Sequence, residues 1–542
     1  MRYLVTIVLL LILCAGAAFC AEELRVVKVG ISNQTFSSFE HKNAAFFTSG
    51  NFLVVDMSGG QNYSPKKGSV IKVELVDNLF RVSEDNRELI TRSFGPIVLT
   101  SDDPISIQGL KRKGLQASYL GQFELKITKN LNSFNIINVL DINSYLKGVV
   151  PNEMPVSFGL EALKAQAIAA RNYANRPQIQ SSNYNICDST ACQVYYGVNS
   201  HATLADRAVE QTDGIFALYK YEPILALYSS TAGGITESHE NTFGEGLLTK
   251  LHPYLKSVGD GPLKTEDDVR EYYSSMPQSP DIKSPLYRWK VEWTRAELEE
   301  ILNKTLAAQS KAGLVEPRFE DRMQIGELQD IRVLKRGDSG KALLVEIVGK
   351  NGRWRVKKEL GIRRALQIPN MQNGSKMLYS ANFYVEKLEK MLDDKPVELE
   401  KITLVGGGYG HGVGMSQYGA GYMAGEGKDY VDILKYYYQG TSIGTLPKLL
   451  SGTAEKPSQV SFYFDKKMKK RVILKFDNTR KLSRLEFNVN EFNFVPNMGL
   501  YGNKILWFDV TTYLKNGAND IVIMPLGERD KAKQPYFWIE LE

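Results

Sequence analysis

The sequence predicts an α+β fold: a mixed helix and strand core with an N-terminal β domain and a C-terminal β-sandwich-like domain. Three observations point there. Short apolar runs broken by turn clusters occupy both ends, a long helical repeat follows Pro155, and Gly-rich blocks join helices and strands in between. At 542 residues the chain exceeds what one hydrophobic core usually organises. The expected division is a targeting segment over 1–20, a β domain over 21–115, a mixed central region over 116–450 with a less motif-rich stretch at 260–395, a polar linker over 451–459, and the β-sandwich-like segment over 460–542.

Arg2 precedes an apolar run from Leu4 to Leu13, and Ala15, Gly16, Ala17 and Ala18 follow before Glu22 and Glu23. This pattern reads as a secretory signal peptide cleaved after Ala18 or Cys20; the alternative is an uncleaved membrane anchor, which would be the chain's one membrane contact. The expected location is therefore outside the cytoplasmic membrane, periplasmic or associated with the wall. A net charge of +6, from 67 basic and 61 acidic residues, gives no field of the kind nucleic acid needs, though a mildly basic surface suits an anionic wall. Runs such as Leu24 to Ile31, Asn51 to Asp56, Phe123 to Thr128 and Phe134 to Val139 predict short strands.

Asp141 is the expected N-cap of a short helix through Tyr145. Beyond it, Glu153 stands between Pro151 and Pro155, whose fixed φ and missing N–H predict an extended connector that presents the carboxylate. Leu160, Leu163, Ala167, Ala170 and Ala174 then recur at helical spacing, with Ser157 as the expected N-cap and Glu161 in the first turn. Of four cysteines, Cys14 and Cys20 fall in the targeting segment, leaving Cys187 and Cys192 close together in a chain bound for an oxidising compartment. A local disulfide is expected. Farther on, Thr294 and Glu297 form a capping box before Leu298, Ile301 and Leu302. Ala342 to Val348, the Asn351-Gly352 turn and Arg353 to Val356 predict a hairpin, and Arg336-Gly337-Asp338 before Ser339-Gly340 reads as a turn. Met415 to Glu426 should be helical and stop at Gly427. Asp429 should cap a second helix with Tyr430, Ile433, Leu434 and Tyr437 in the core.

The stretch YLKGVVPNEMPVSFGLEALKAQAIAARNYA from Tyr145 resembles the signature of the SpoIID family of peptidoglycan lytic transglycosylases, YL-GVV--EMP followed by EALKAQA-AAR-YA. Three further blocks agree in order: CDSTACQVYYG from Cys187, YSSTAGGITESHENTFGE from Tyr228 and GGGYGHGVGMSQYGAGYMA from Gly406. The phrase FDVTTYLKNGAN from Phe508 resembles part of the β-sandwich accessory domains of glycoside-acting enzymes.

The resemblance implies cleavage of the β-1,4 bond between N-acetylmuramic acid and N-acetylglucosamine, with peptide-stripped strands as the preferred substrate. Hydrolases usually need two carboxylates for such a bond. A lytic transglycosylase manages with one, because the 6-hydroxyl of the muramic acid closes a 1,6-anhydro ring. Glu153 is the expected single acid and base. To act near neutral pH it must hold its proton, which calls for partial desolvation by neighbours such as Met154, Tyr145 or Tyr195. Gln166, Arg171, Gln193, Tyr195, Ser229, Ser230, His411, Ser416 and Gln417 are the expected glycan contacts, whereas Glu237 and Glu240 are expected to make ordinary hydrogen bonds. The Gly406 block lacks the Lys-Ser/Thr ending of a nucleotide-binding loop. Some relatives bind zinc with two cysteines and nearby histidines; here Ala191 stands where a histidine would precede the second cysteine, so no cofactor and no metal is expected and the disulfide is favoured. A rival function, also drawn from relatives, is a non-catalytic wall-binding protein that stimulates a cell-wall amidase.

Overall fold

The computed structural model describes residues 26–175, 183–244, 252–369, 376–392, 395–450, 457–477, 485–496, 505–525 and 536–542. The expected targeting segment and residues 451–456 of the expected linker lie outside these. Strands hold 40% of the chain and helices 22%, spread over several sheets, as an α+β fold requires. Contacts divide it into two compact units, one formed by the described residues up to Ile224 together with Ile443–Glu542, the other by Leu225–Ser442.

In the first unit, Val26–Ile31 pairs antiparallel with Phe134–Asp141 and parallel with Ile186–Cys187. The sheet continues through Gln122–Ile127, Ile97–Ser101, Phe52–Asp56 and Gln61–Tyr63. A second sheet runs Leu115–Tyr119, Ile105–Arg112, Asn43–Phe47, Ile71–Val76, Leu79–Glu84, Arg87–Ser93. Aromatic contacts such as Phe46 with Phe123 and Phe80 with Phe134, each 5.4 Å between ring centroids, fill the core between them. The expected strands beyond 115 join this same sheet: Phe134–Asp141, third in its order, is buried along all but its last residue.

The C-terminal segment is likewise part of a shared sheet. Tyr536–Leu541 lies between Ser442–Thr445 and Val472–Asp477, with Ile443 opposite Leu541 and Leu474 opposite Ile539. Ser442–Thr445 in turn neighbours Ile215–Tyr219. Trp538 is buried with its ring 4.8 Å from that of Tyr221. A strand pattern of its own suggested an independent module, but the last strand supplies hydrogen bonds that the earlier strands need.

Four helices carry the motif stretch: α1 (Ile142–Lys147), α2 (Val150–Glu153), α3 (Leu160–Ala174) and α4 (Thr203–Gln211). Asp141 caps α1 as expected, accepting from the amides of Asn143 and Ser144 at 3.0 Å. Two local expectations are corrected. Glu153 is not in an extended connector but closes the single turn of α2, with its amide donating to the Val149 carbonyl at 3.0 Å. Proline in the first turn of a helix loses no hydrogen bond there, so Pro151 starts the turn rather than blocking it. Met154, which precedes Pro155, is the residue forced to extend. The N-cap of α3 is Gly159 at φ 89°, because Val156–Phe158 forms a 3₁₀ turn that takes in Ser157.

The second unit pairs a three-stranded sheet, in the order Trp289–Thr294, Lys395–Gly406, Phe383–Leu392, with a four-stranded one that contains the expected hairpin of Ala342–Gly349 and Gly352–Lys357. Helix α5 (Arg295–Lys311) begins with the expected capping box and buries Leu298, Leu302 and Leu306. Ser416 caps α6 (Gln417–Gly425) and Asp429 caps α7 (Tyr430–Tyr437), whose Tyr430, Ile433, Leu434 and Tyr437 are core. Met415 pairs with Tyr228 as strand, so α6 starts later than the apolar run suggests. Among the described residues, no helix is long and apolar enough to cross a membrane.

Candidate active site

Glu153 projects from the end of α2, half-buried, and its Oε1 accepts the Val194 backbone amide at 2.6 Å. Val194 follows two residues after the loop closed by the Cys187–Cys192 disulfide, whose Cα atoms are 5.5 Å apart. Both thiols are consumed in that bond. His201, the histidine nearest along the chain, has its Nδ1 4.0 Å from Asp206, and among the described residues no cluster of His, Cys, Asp and Glu converges as a metal site.

The base of the loop is anchored by charge. Asp188 accepts from the Ser32 amide at 3.2 Å and from the Arg112 guanidinium at 2.8 Å, and both charged side chains are wholly buried. Burial raises the Asp188 carboxyl, and Arg112 pulls against that rise. Removing one partner would strand the other's charge in the core.

Three phenols feel the Glu153 charge. Tyr145 is pushed well above its ordinary value by burial and then by the Glu153 charge, and Tyr173 is raised by the same two causes in the same order. Tyr196 is raised first by burial, with Arg112 opposing and the charges of Asp188 and then Glu153 adding to the rise. All three stay protonated at any physiological pH. Tyr145 donates to Gln193 Oε1 at 3.0 Å, and its ring lies 5.0 Å from that of Tyr195, which donates to Asn138 at 2.7 Å. Gly148 makes this packing possible, since a Cβ there would sit 2.6 Å from the Tyr195 ring.

Gln166, Arg171, Gln193 and Tyr195, expected as glycan contacts, are fully buried. Arg171 on α3 donates to the Ile215 carbonyl at 3.1 Å and to Asn143 at 3.3 Å, tying α3 to the following strand and to α1. The reason is local: α3 is buried on nearly every face, so a polar residue on it meets protein rather than solvent.

The remaining expected contacts gather in the second unit. Tyr228–Ser229 pairs in parallel with Met415–Ser416, and Thr231 bridges to Tyr409. Ser416 hydrogen-bonds the buried Asp281, which also accepts the Ala232 and Gly234 amides at 3.1 and 2.9 Å. Ser229 and Gln417 are buried, while Ser230 and His411 keep part of their surface. Burial brings His411 down to about 4, with Glu359 opposing and Lys341 and Arg363 reinforcing the fall. Glu237, wholly buried, accepts from the amides of Ser238, Asp338 and Ser339 at 2.9, 2.9 and 3.1 Å, from the Ser339 hydroxyl at 2.7 Å and from Asn241 at 2.8 Å. The Arg336-Gly337-Asp338 triplet is thus a turn wrapped on Glu237.

Sequence reasoning missed the Val194 amide, Tyr173, Tyr196 and the Arg112–Asp188 pair. Tyr196 sits within the block from Cys187 and was within reach; a backbone donor leaves no residue signature.

Residues 130–219, the stretch holding Glu153 and the disulfide loop, match the family model described as Stage II sporulation protein, and 242–414 match a domain of unknown function. Over 330 residues the chain is 32% identical to Stage II sporulation protein D of Bacillus subtilis, covering 58% of this chain and 77% of that one. It is 31% identical over 312 residues to the amidase enhancer of the same organism, where the match spans 55% of this chain and only 40% of the relative. An uncharacterized protein of Brachyspira hyodysenteriae is 29% identical over 388 residues, covering 70% and 86%. Fold and matches together define a cell-wall-related α+β protein. The chain belongs to the SpoIID family.

Proposed function

We propose that the protein is a peptidoglycan lytic transglycosylase acting outside the cytoplasmic membrane on glycan strands, peptide-stripped ones preferred. The observation that carries this is the Glu153 carboxyl on a helix end, aimed by the Val194 amide, with protonated Tyr145 and Tyr173 within the reach of its charge. Glu153 in its acid form gives its proton to the glycosidic oxygen as the bond to C1 of N-acetylmuramic acid breaks, releasing N-acetylglucosamine with a free 4-hydroxyl. The muramic 6-hydroxyl then bonds to C1, and its proton returns to Glu153. One carboxyl is restored and no water is consumed.

Glu153→Gln keeps shape but cannot pass a proton, so formation of anhydromuramoyl ends should fall by roughly 10²–10⁴-fold with strand binding retained. Glu161→Gln, whose carboxylate holds Lys164 at 2.7 Å, is the matched control and should keep most activity. Mass spectrometry of digested strands reads both. A second reading rests on the likeness to the amidase enhancer: a protein that binds strands, never cuts them and stimulates a wall amidase. Strand binding by wild-type protein without anhydromuramoyl products would favour it.

A further inference from the structure

Phe36 is a bulky residue in the left-handed region, at φ 56°, where a side chain other than glycine is strained. A tight turn imposes this. Asn33 accepts on its side-chain oxygen from the amides of Thr35 and Ser37 at 3.2 and 3.0 Å, and its carbonyl accepts the Phe36 amide at 3.2 Å. The turn then presents the ring rather than packing it, leaving Phe36 38% exposed. An asparagine or glycine would satisfy the same turn without strain, so the turn itself does not ask for an aromatic here.

The ring is held by two groups that lead to Glu153. The buried Arg112 guanidinium lies 4.3 Å from its centroid, and that same guanidinium pins Asp188 at the base of the disulfide loop. Arg112 covers one face of the ring. The Tyr196 ring stands 6.1 Å away at 41°, two residues after the Val194 amide that aims Glu153. The Tyr196 amide donates to the Gly148 carbonyl at 3.4 Å and the Val194 amide to Glu153 at 2.6 Å, so the backbone that carries the corner made by the two rings runs directly past the segment bearing the carboxyl.

We propose that Phe36 and Tyr196 form a sugar-stacking subsite beside Glu153, taking the apolar C–H face of an N-acetylated pyranose of the glycan strand. The subsite rests on the glycan reading above and extends it to a residue outside the stretch that matches the SpoIID model. Aromatic faces recognise sugars through burial and the ring's negative quadrupole, and strain kept at an exposed aromatic is what a binding role accounts for.

The test uses the full chain carrying Glu153→Gln, so that strands survive, and calorimetric titration with peptide-free glycan strands. Phe36→Gly should weaken binding about tenfold, leave thermal stability unchanged or raised because the strain is relieved, and Phe36→Trp should bind within about twofold of the parent. In the Glu153 background, Phe36→Gly should raise KM more than it lowers kcat. Unchanged affinity in Phe36→Gly, or a loss of thermal stability that tracks the loss of affinity, would overturn the subsite. If Phe36→Gly weakens binding while Glu153→Gln cuts at the wild-type rate, the subsite stands and the catalytic assignment falls. A parent with no affinity for strands removes both.

Discussion

His411 sits in a Gly-rich loop where the Val413 amide donates to its Nδ1 at 3.1 Å, so the neutral ring carries its proton on Nε2. Burial holds it near 4, below the 6.5 of a free histidine. Between those values the unfolded chain binds a proton that the native protein does not, so falling pH removes stability across that window. The cost is at most about 1.4 kcal/mol per pH unit. His411→Gln should flatten the decline from pH 6.5 to 4 in urea melts; identical slopes would show that the ring titrates normally. Glu153 is legible in the sequence because two prolines frame it and the words around it are distinctive. The burial of Arg171 and Gln193 is not legible, since a polar residue on a helix reads as surface until the packing of that helix is known.

At the scale of elements, the loop from Cys187 to Val194 is the part on which the proposed chemistry leans. One end is fixed by the Arg112–Asp188 pair, and the disulfide closes it just before the amide that aims Glu153. Replacing both cysteines with serine should lower formation of anhydromuramoyl ends by roughly 10²-fold through misplacement of the carboxyl, with the melting temperature down by a few degrees. The wild-type protein should carry no stoichiometric zinc by elemental analysis. Full turnover in the double variant would detach the loop from catalysis. Several helices could be read in advance: the Asp141, Thr294 and Asp429 caps are short-range hydrogen bonds written in adjacent residues. The one-turn α2 could not, because proline is compatible with both an extended connector and a first helical turn.

For the whole molecule, the C-terminal segment behaves as structure rather than as an appendage. Ending the chain at Leu450 would remove the partner of Ser442–Thr445 and bare the Tyr221 side of the sheet, so that variant should aggregate or melt far below wild type on size exclusion and thermal scans. Trp538→Ala, a milder probe, should cost about 3–5 kcal/mol, readable as a shifted urea midpoint. A soluble, active truncation would restore the picture of a separable module. Domain boundaries were the least legible feature. Sheets join strands far apart in sequence, as when Ile443 meets Leu541, and no local pattern records which edge a strand will find.

That last pairing also has a consequence in time. The sheet neighbour of Ile215–Tyr219 is itself completed by residues made more than three hundred positions later, a wait on the order of tens of seconds at ordinary synthesis rates. Until Tyr536–Leu541 emerges, the unit that holds Glu153 has an open strand edge and no closed core on that side. Partly synthesised copies therefore carry the motif stretch while Ser442–Thr445 still lacks its sheet neighbour.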